Sequence, residues 1–291
     1  MIIVNILGGL GNQMFTYACG RRLAEKHHTE LLLNLSSFNN YKWPYALDKF
    51  NIRAQINDRI NTRLFEIGGR ITNRLLGRKT MVSVNGIKPV WEYKAAFNPE
   101  IMELADNVFL DGYWASEKYF KDIADILRNE FTLREAISRN TMLWEDKIKS
   151  EEMPISLHIR RGDYLESDIN RQIYAQVPVS YYYNGIELIR KNADISALFV
   201  FSNDIDWCKE TFKFDIPVYY VTGNDEFHGY EDMYLMSLCK HNIVANSTFS
   251  WWGAWLNRYK EKVVICPKKF FNISDIWHDS TDTWPEEWIQ L

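Results

Sequence analysis

From Pro154 onward the sequence alternates between short apolar runs and amphipathic stretches of helical spacing, and nearly every run ends in a polar loop. The runs 155–159, 198–202, 218–222, 243–245 and 263–266 read as strands, and 179–191, 206–212, 231–240 and 251–257 as helices. Strands joined through helices form a parallel, doubly wound sheet. In such a sheet ligands bind outside the carboxyl ends of the strands. Four carboxyl-end loops are polar here: RRGD at 160–163, ND at 203–204, GND at 223–225 and NSTFS at 246–250. They are expected to line one crevice.

The first 35 residues read as strand 2–7, helix 13–27 and strand 31–35, with Gly8, Gly9 and Gly11 in the first turn. This turn is not a dinucleotide fingerprint. Met14 stands where the third glycine belongs, and Asn34 and Ser36 stand where an acidic residue would hold a ribose. These departures argue against a nicotinamide dehydrogenase. The glycines still bring backbone close to something, and Asn12 and Gln13 carry neutral polar groups to the same edge; a tight turn that only packs the helix is the alternative. Residues 36–150 are less regular. Arg59, Arg63, Arg70, Arg74 and Arg78 form a basic stripe beside an apolar face of Ile60, Leu64, Ile67, Ile71 and Leu75. This stripe is either a solvated helix face or a contact with the acceptor or an anionic membrane surface. Residues 108–111 read as a strand running into Gly112, and 122–131 and 138–149 as helices. The polar stretch KIKSEEMP places a domain change near 145–153, dividing the chain into domains 1–150 and 151–291.

The chain has 291 residues, with 34 basic and 38 acidic side chains, a net charge of −4. It can bury a sizeable core without disulfides, and its charge does not favour nucleic acid as a partner. No run is long and apolar enough to span a membrane, and MIIVNILGG lacks the charged start and cleavage site of a signal peptide. A cytoplasmic protein is expected. Cys19, Cys208, Cys239 and Cys266 show no C-x-x-C pairing and read as free thiols.

The polar loops together offer recognition of a diphosphate and a base. Arginine forks suit phosphate oxygens. Arg160 shares a strand face with His158, and alternation turns Arg161 away. A salt bridge to Asp163 is the alternative for both arginines. Ser247, Thr248 and Ser250 precede a helix whose free N–H groups bind anions, unless they form an ordinary cap. Asp204 offers a carboxylate to a guanine edge, or else caps the helix at 206–212. Asp204-Ile205-Asp206 also spells the D-x-D of a metal-dependent nucleotide-sugar clamp, although the arginines already supply positive charge.

GGLGNQMFTYA at 8–18, GYWASEKYF at 112–120, HIRRGDY at 158–164, FSND at 201–204 and NSTFSWWGAWL at 246–256 resemble, in order, the bacterial α-1,2-fucosyltransferases. The resemblance implies an α/β protein of GT-B type: two Rossmann-like, doubly wound domains facing across a cleft, an acceptor-side first domain and a donor-binding second one. It implies GDP-β-L-fucose as donor, inversion at the anomeric carbon, and no metal or other cofactor. His158, Arg160, Asn203, Asp204, Asn246, Ser247, Thr248, Phe249 and Ser250 then fall on the donor-binding positions, and Asn12 near the fucose. The expected reaction moves fucose to the 2-hydroxyl of a β-galactoside in a surface glycan or O-antigen. Arg160 and Asn12 are the catalytic candidates. Asp163 and Glu117 are candidate bases, and Gln13, Tyr113, Trp114 and Glu117 the acceptor contacts. A lipid-linked acceptor would bring the protein to the inner membrane surface. The rival expectations are a metal-dependent transferase using another nucleotide sugar, and a nucleotide-sugar-binding protein without catalysis.

Overall fold

The computed structural model describes residues 1–40, 42–57, 83, 85–162, 167–225 and 227–291. The chain forms two compact units. The first comprises Met1–Arg134 with Thr281–Thr283, the second Glu135–Ser280 with Trp284–Leu291. The partition therefore falls before the expected position near 150. The reason is the helix α3, Arg139–Lys149. Its Asn140 Nδ2 and Trp144 Nε1 both donate to the carbonyl of Thr222, at 3.0 Å, and its capping residue Ser138 donates to Glu231, so it belongs to the second unit.

The first unit holds a parallel sheet of β1 (Ile2–Asn5), β2 (Leu31–Asn34), β3 (Gln55–Ile56), β4 (Lys88–Trp91) and β5 (Val108–Asp111), in the order β3-β2-β1-β5-β4. Helix α1, Leu10–His27, begins three residues earlier than its apolar spacing suggests, because Gly9 adopts an extended N-cap conformation. Helix α2, Ala124–Glu130, returns against it. There Tyr17 and Arg21 of α1 both meet the buried carboxylate of Glu130, at 2.5 and 3.0 Å. The basic stripe from Arg59 to Arg78 lies outside the described residues.

The second unit holds β6 (Pro154–Ile159), β7 (Ala197–Ser202), β8 (Val218–Tyr220), β9 (His241–Ile243), β10 (Val264–Cys266) and β11 (Ile289–Gln290), ordered β11-β10-β9-β6-β7-β8. Its pairings are all parallel. Helices α4 (Asp168–Ile173), α5 (Val179–Arg190), α6 (Ile205–Thr211), α7 (Gly229–Leu238) and α8 (Thr248–Leu256) link the strands. Ile155, Leu157, Leu198, Val200, Ile243 and Ile265 pack with Tyr181, Tyr182, Ile186 and Ile189 of α5 on one face. Phe199 and Phe201 pack with Leu235 and Met236 of α7 on the other. Burial on both faces explains why these strands read as continuous apolar runs.

In each sheet the strand order reverses beside the unit's first strand. The chain builds outward from β6 to β7 and β8, then returns to β9 on the opposite side. The carboxyl ends of β6 and β9 therefore flank the switch point where doubly wound sheets bind ligands. In the first unit the same point lies between β1 and β5. Among the described residues no helix is long and apolar enough to cross a membrane.

Candidate functional site

At the end of β6, His158 is 4 % exposed and lies against Phe249, with ring centroids 5.7 Å apart. Its Nδ1 is buried without a hydrogen-bond partner among the described residues. Burial, helped by the neighbouring charge of Arg160, pushes its pKa down to about 3, so the ring is neutral at ordinary pH. A buried, unpaired polar atom costs about 1–3 kcal/mol. A ligand group that pairs with it recovers that energy.

The two arginines that follow depart from simple alternation. Arg161 does not turn away from the switch-point loops. Its guanidinium stacks 3.7 Å over the ring of Trp207, and its Nε reaches Asp204 Oδ2 at 3.4 Å. The cause is the end of pairing: past Ile159 the backbone N–H groups of Arg161 and Gly162 donate to the Asn203 side chain instead of to a strand, at 3.1 and 3.3 Å. Gly162 is needed there, since a Cβ would stand 2.2 Å from Asn203 Nδ2. Only Nε of Arg161 is spent on the protein, so among the described residues its terminal nitrogens have no acceptor. Asp163 lies outside the described residues. Arg161 pairs instead with Asp204.

Asp204 takes the capping role. Its Oδ1 accepts from the N–H of Trp207 at 3.2 Å, and Oδ2 serves Arg161. Asp206, two residues on, is exposed and paired with Lys209. The two carboxylates of the D-x-D are thus engaged separately. Among the described residues no group of three or more His, Cys, Asp or Glu side chains is arranged to hold a metal.

At the end of β9, Ser247 caps α8 by accepting from the N–H of Phe249 at 3.3 Å. Trp251, Trp252 and Trp255 of α8 are buried, and Trp251 packs against Trp288, so the helix start is rigidly placed. Its first N–H groups and its dipole favour an anion. Two donor-site expectations are corrected here. Asn246 is buried, and its Nδ2 is committed to the carbonyls of Ala175 and Phe270, at 2.9 and 2.8 Å. Ser250 is also buried, with its hydroxyl turned to the carbonyls of Ala245 and Ser247. Both shape the loop from within. The third polar loop is structural too, with Asn224 tied to Asp232 and Thr141.

In the first unit, Asn12 is partly exposed at the start of α1. Gln13 is not available to an acceptor: it is fully buried, donates to the carbonyls of Gly8 and Pro44, and accepts from the N–H of Ala46. Trp114 is 1 % exposed and edge-on to Tyr119, so it presents no stacking face. Glu117 is buried and ion-paired with Lys121 at 2.9 Å. Tyr113 alone of these four is exposed. Sequence reasoning missed Trp207; its place three residues after a strand-end aspartate, on the first turn of a helix, was the available signal. It also missed a polar row at the first switch point. Asn34 donates to Asn5 at 2.8 Å, and Asn5 to Asp111 at 2.9 Å.

Residues 98–291 match the family described as Glycosyl transferase family 11. The chain is similar to an α-1,2-colitosyltransferase of Escherichia coli, 31 % identical over 298 residues, covering 100 % of this chain and 99 % of that one. It is also similar to the O-antigen biosynthesis glycosyltransferase WbnK of Escherichia coli, 30 % identical over 297 residues, covering 95 % and 97 %. Among solved structures, a mutant of Arabidopsis thaliana FUT1 in complex with GDP superposes with a TM-score of 0.52 at 10 % identity, over 90 % of this chain and 69 % of that one. The fold agrees, and the sequence match runs through both units: the chain belongs to glycosyl transferase family 11.

Proposed function

We propose that this glycosyltransferase moves L-fucose from GDP-β-L-fucose to the 2-hydroxyl of a β-galactoside during surface-glycan or O-antigen synthesis, inverting the anomeric carbon and using no metal. The observation that carries the reading is the second switch point. A neutral buried imidazole with a free nitrogen, an arginine fork held by Trp207 and Asp204, and the start of α8 all stand at neighbouring strand ends. That set suits a nucleoside diphosphate.

Transfer breaks the bond between the sugar and the diphosphate, and negative charge grows on GDP. Preorganised donors aimed at that charge are the largest catalytic term in such sites. The arginines 160 and 161 and the helix start supply them. The motif resemblance assigns Asn12 to the sugar, Tyr113 to the acceptor and Asp163 as a candidate base. The five motifs that resemble α-1,2-fucosyltransferases support fucose.

The colitosyltransferase relative favours a second reading, in which the donor sugar is colitose. Colitose is fucose without its 3-hydroxyl. A site built to pair that hydroxyl rejects the analogue lacking it by about 10⁴-fold, so the two donors are separable. The test is transfer from GDP-fucose and from GDP-colitose to an array of galactosides, with linkage read by NMR. Fucose appearing on O2 supports the proposal. Colitose transfer alone moves the assignment to the second reading, and donor binding without turnover removes both.

A further inference from the structure

We infer that two like turns of the second unit, at 225–228 and 275–278, are contact points for the acceptor glycan: each sets an exposed aromatic ring beside a histidine nitrogen that accepts a hydrogen bond. The inference deepens the transferase reading and rests on it for the acceptor role. Both turns spell D-x-aromatic-H. In the first, Asp225 Oδ1 accepts from the N–H of Phe227 at 2.9 Å, the N–H of His228 at 3.0 Å and His228 Nδ1 at 2.7 Å. In the second, Asp275 Oδ1 accepts from the N–H of Trp277 at 2.8 Å, the N–H of His278 at 3.0 Å and His278 Nδ1 at 2.8 Å. In each, the histidine N–H also closes the turn on the aspartate carbonyl, at 3.1 Å.

Turn formation accounts for the aspartates, but not for what stands beside them. Phe227 is 57 % exposed and Trp277 50 %, so neither ring is spent on a core. The same arrangement fixes each imidazole. The bond from His228 holds Asp225 below the usual carboxylate range, and the bond from His278 does so for Asp275. An ionised carboxylate has only acceptors, so Nδ1 carries the proton of the neutral ring and Nε2 is left as an acceptor. Among the described residues neither Nε2 has a partner.

The first turn leaves the carboxyl end of β8, and the second belongs to the connection that leaves the carboxyl end of β10, so in strand order they flank the switch point between β6 and β9. That is the side of the sheet where ligands bind. Gly229, the residue after His228, packs against Phe249 at the start of α8: a Cβ there would lie 3.4 Å from the ring. His278 stands edge-on to Phe271, which pairs with Tyr174 just past α4. A pyranose has a face of C–H groups and a rim of hydroxyls. The face stacks on an aromatic ring, while a hydroxyl donates to the nitrogen beside it. An acidic ligand gains nothing from an acceptor nitrogen next to an aspartate. A bilayer would leave that nitrogen unpaired, and within the turns a further exposed apolar side chain, Ile276, accompanies only one of the two rings.

The test uses the full chain with lactose and with lacto-N-tetraose as galactoside acceptors. Phe227→Ala and Trp277→Ala together should raise KM for the tetrasaccharide by about 10-fold, with kcat, GDP affinity and KM for lactose unchanged. Phe227→Tyr with Trp277→Phe keeps both aromatic faces and should hold the wild-type KM. Nitrogen-15 spectra of wild type titrated with lacto-N-tetraose give a readout that needs no variant: the Nε2 signals of His228 and His278 should shift as hydroxyls donate to them. An unchanged tetrasaccharide KM in the double-alanine variant, or Nε2 signals that stay in place at saturating tetrasaccharide, overturns the inference while leaving the transferase reading intact. So does binding to phosphatidylglycerol vesicles that the double-alanine variant loses while its KM stays at the wild-type value, which makes the rings a membrane contact. Wild-type protein that transfers no sugar to either acceptor overturns the transferase reading and, with it, the acceptor role of the turns.

Discussion

The guanidinium of Arg161 lies flat on Trp207, 3.7 Å from the ring centroid, while its Nε faces Asp204. Stacking and pairing together fix one rotamer of a side chain that otherwise costs about 2 kcal/mol of entropy to order. The fork is therefore preorganised, with its terminal nitrogens left over for a ligand.

Trp207→Ala should keep the fold, because the ring is only partly buried at the edge of the core beside Phe212, yet it removes the platform. The expected outcome is a fall in kcat of about 10-fold or more with a smaller change in melting temperature. Arg161→Ala should cost about 10²–10³-fold, as loss of one transition-state donor does. Strand alternation alone predicts a mild effect. Steady-state kinetics with GDP-fucose decides between them: an Arg161→Ala enzyme within about threefold of wild type makes the stacked arginine merely structural.

Asn246 predicts a different pattern. Its Nδ2 satisfies two carbonyls, of Ala175 and Phe270, in a buried place. Asn246→Ala removes both bonds; the Phe270 carbonyl keeps the N–H of Ala175 at 3.3 Å, while the Ala175 carbonyl loses its partner at about 1–3 kcal/mol, so thermal melting should drop by several degrees. Donor affinity should follow only as far as the loops 167–175 and 270–280 loosen. Unchanged melting with lost GDP binding would restore the direct donor contact expected from the motif.

The second sheet was legible because each strand is apolar on both faces and ends in polar residues. In the first sheet β1, β2 and β5 were legible, and β3 and β4 were not. β4 carries Lys88 and Pro89 in a four-residue strand, and β3, like β11 at the edge of the second sheet, has two residues, too few for any periodicity to show. At the site, motif positions were found but their directions were not. Gln13, Asn246 and Ser250 look like ligand contacts in sequence and are spent on backbone carbonyls. Arg161 escaped because alternation ends with the strand.

Two buried histidines favour the unfolded chain in mild acid. His158 is held neutral down to about pH 3, and burial also lowers the pKa of His241, whose Nδ1 accepts from the N–H of Val263 at 2.9 Å. In the unfolded chain both protonate near pH 6.5. Below that pH the unfolded state binds more protons at these two sites than the folded state, so their contribution to stability decreases as pH falls. His158 alone should contribute a loss of about 2 kcal/mol between pH 7 and pH 5. Glu92 works the other way by a similar amount, since its folded pKa of about 7 lies above its unfolded one, and Asp232, pushed by burial up to about 6, acts in the same sense. The wild-type urea midpoint should therefore not fall from pH 7 to pH 5, while His158→Gln should gain about 2 kcal/mol relative to wild type over that interval. A His158→Gln profile parallel to that of wild type would mean that His158 is not buried neutral.

The last prediction separates an arginine mechanism from a metal one, and it turns on Asp204. If Asp204 and Asp206 held a cation, both carboxylates would face one point. Asp204 instead caps α6 and pairs with Arg161, and Asp206 is paired with Lys209 on the exposed side. Asp204→Asn keeps an oxygen for the N–H of Trp207 but loses the charge opposite Arg161. In the arginine mechanism this frees the guanidinium to wander, and kcat should fall by about 10-fold, while EDTA leaves wild-type activity unchanged. Asp206→Asn should then be silent. In the metal mechanism Asp204→Asn and Asp206→Asn are both severe, EDTA abolishes transfer, and manganese restores it. Arg160→Lys and Arg161→Lys add the converse check. A lysine ammonium cannot offer the parallel pair of hydrogen bonds that a guanidinium gives to phosphate oxygens. Neither variant should recover wild-type kcat if arginines meet the charge on the leaving diphosphate. Near-normal turnover in both lysine variants, together with loss of activity in EDTA, would hand that charge to a metal.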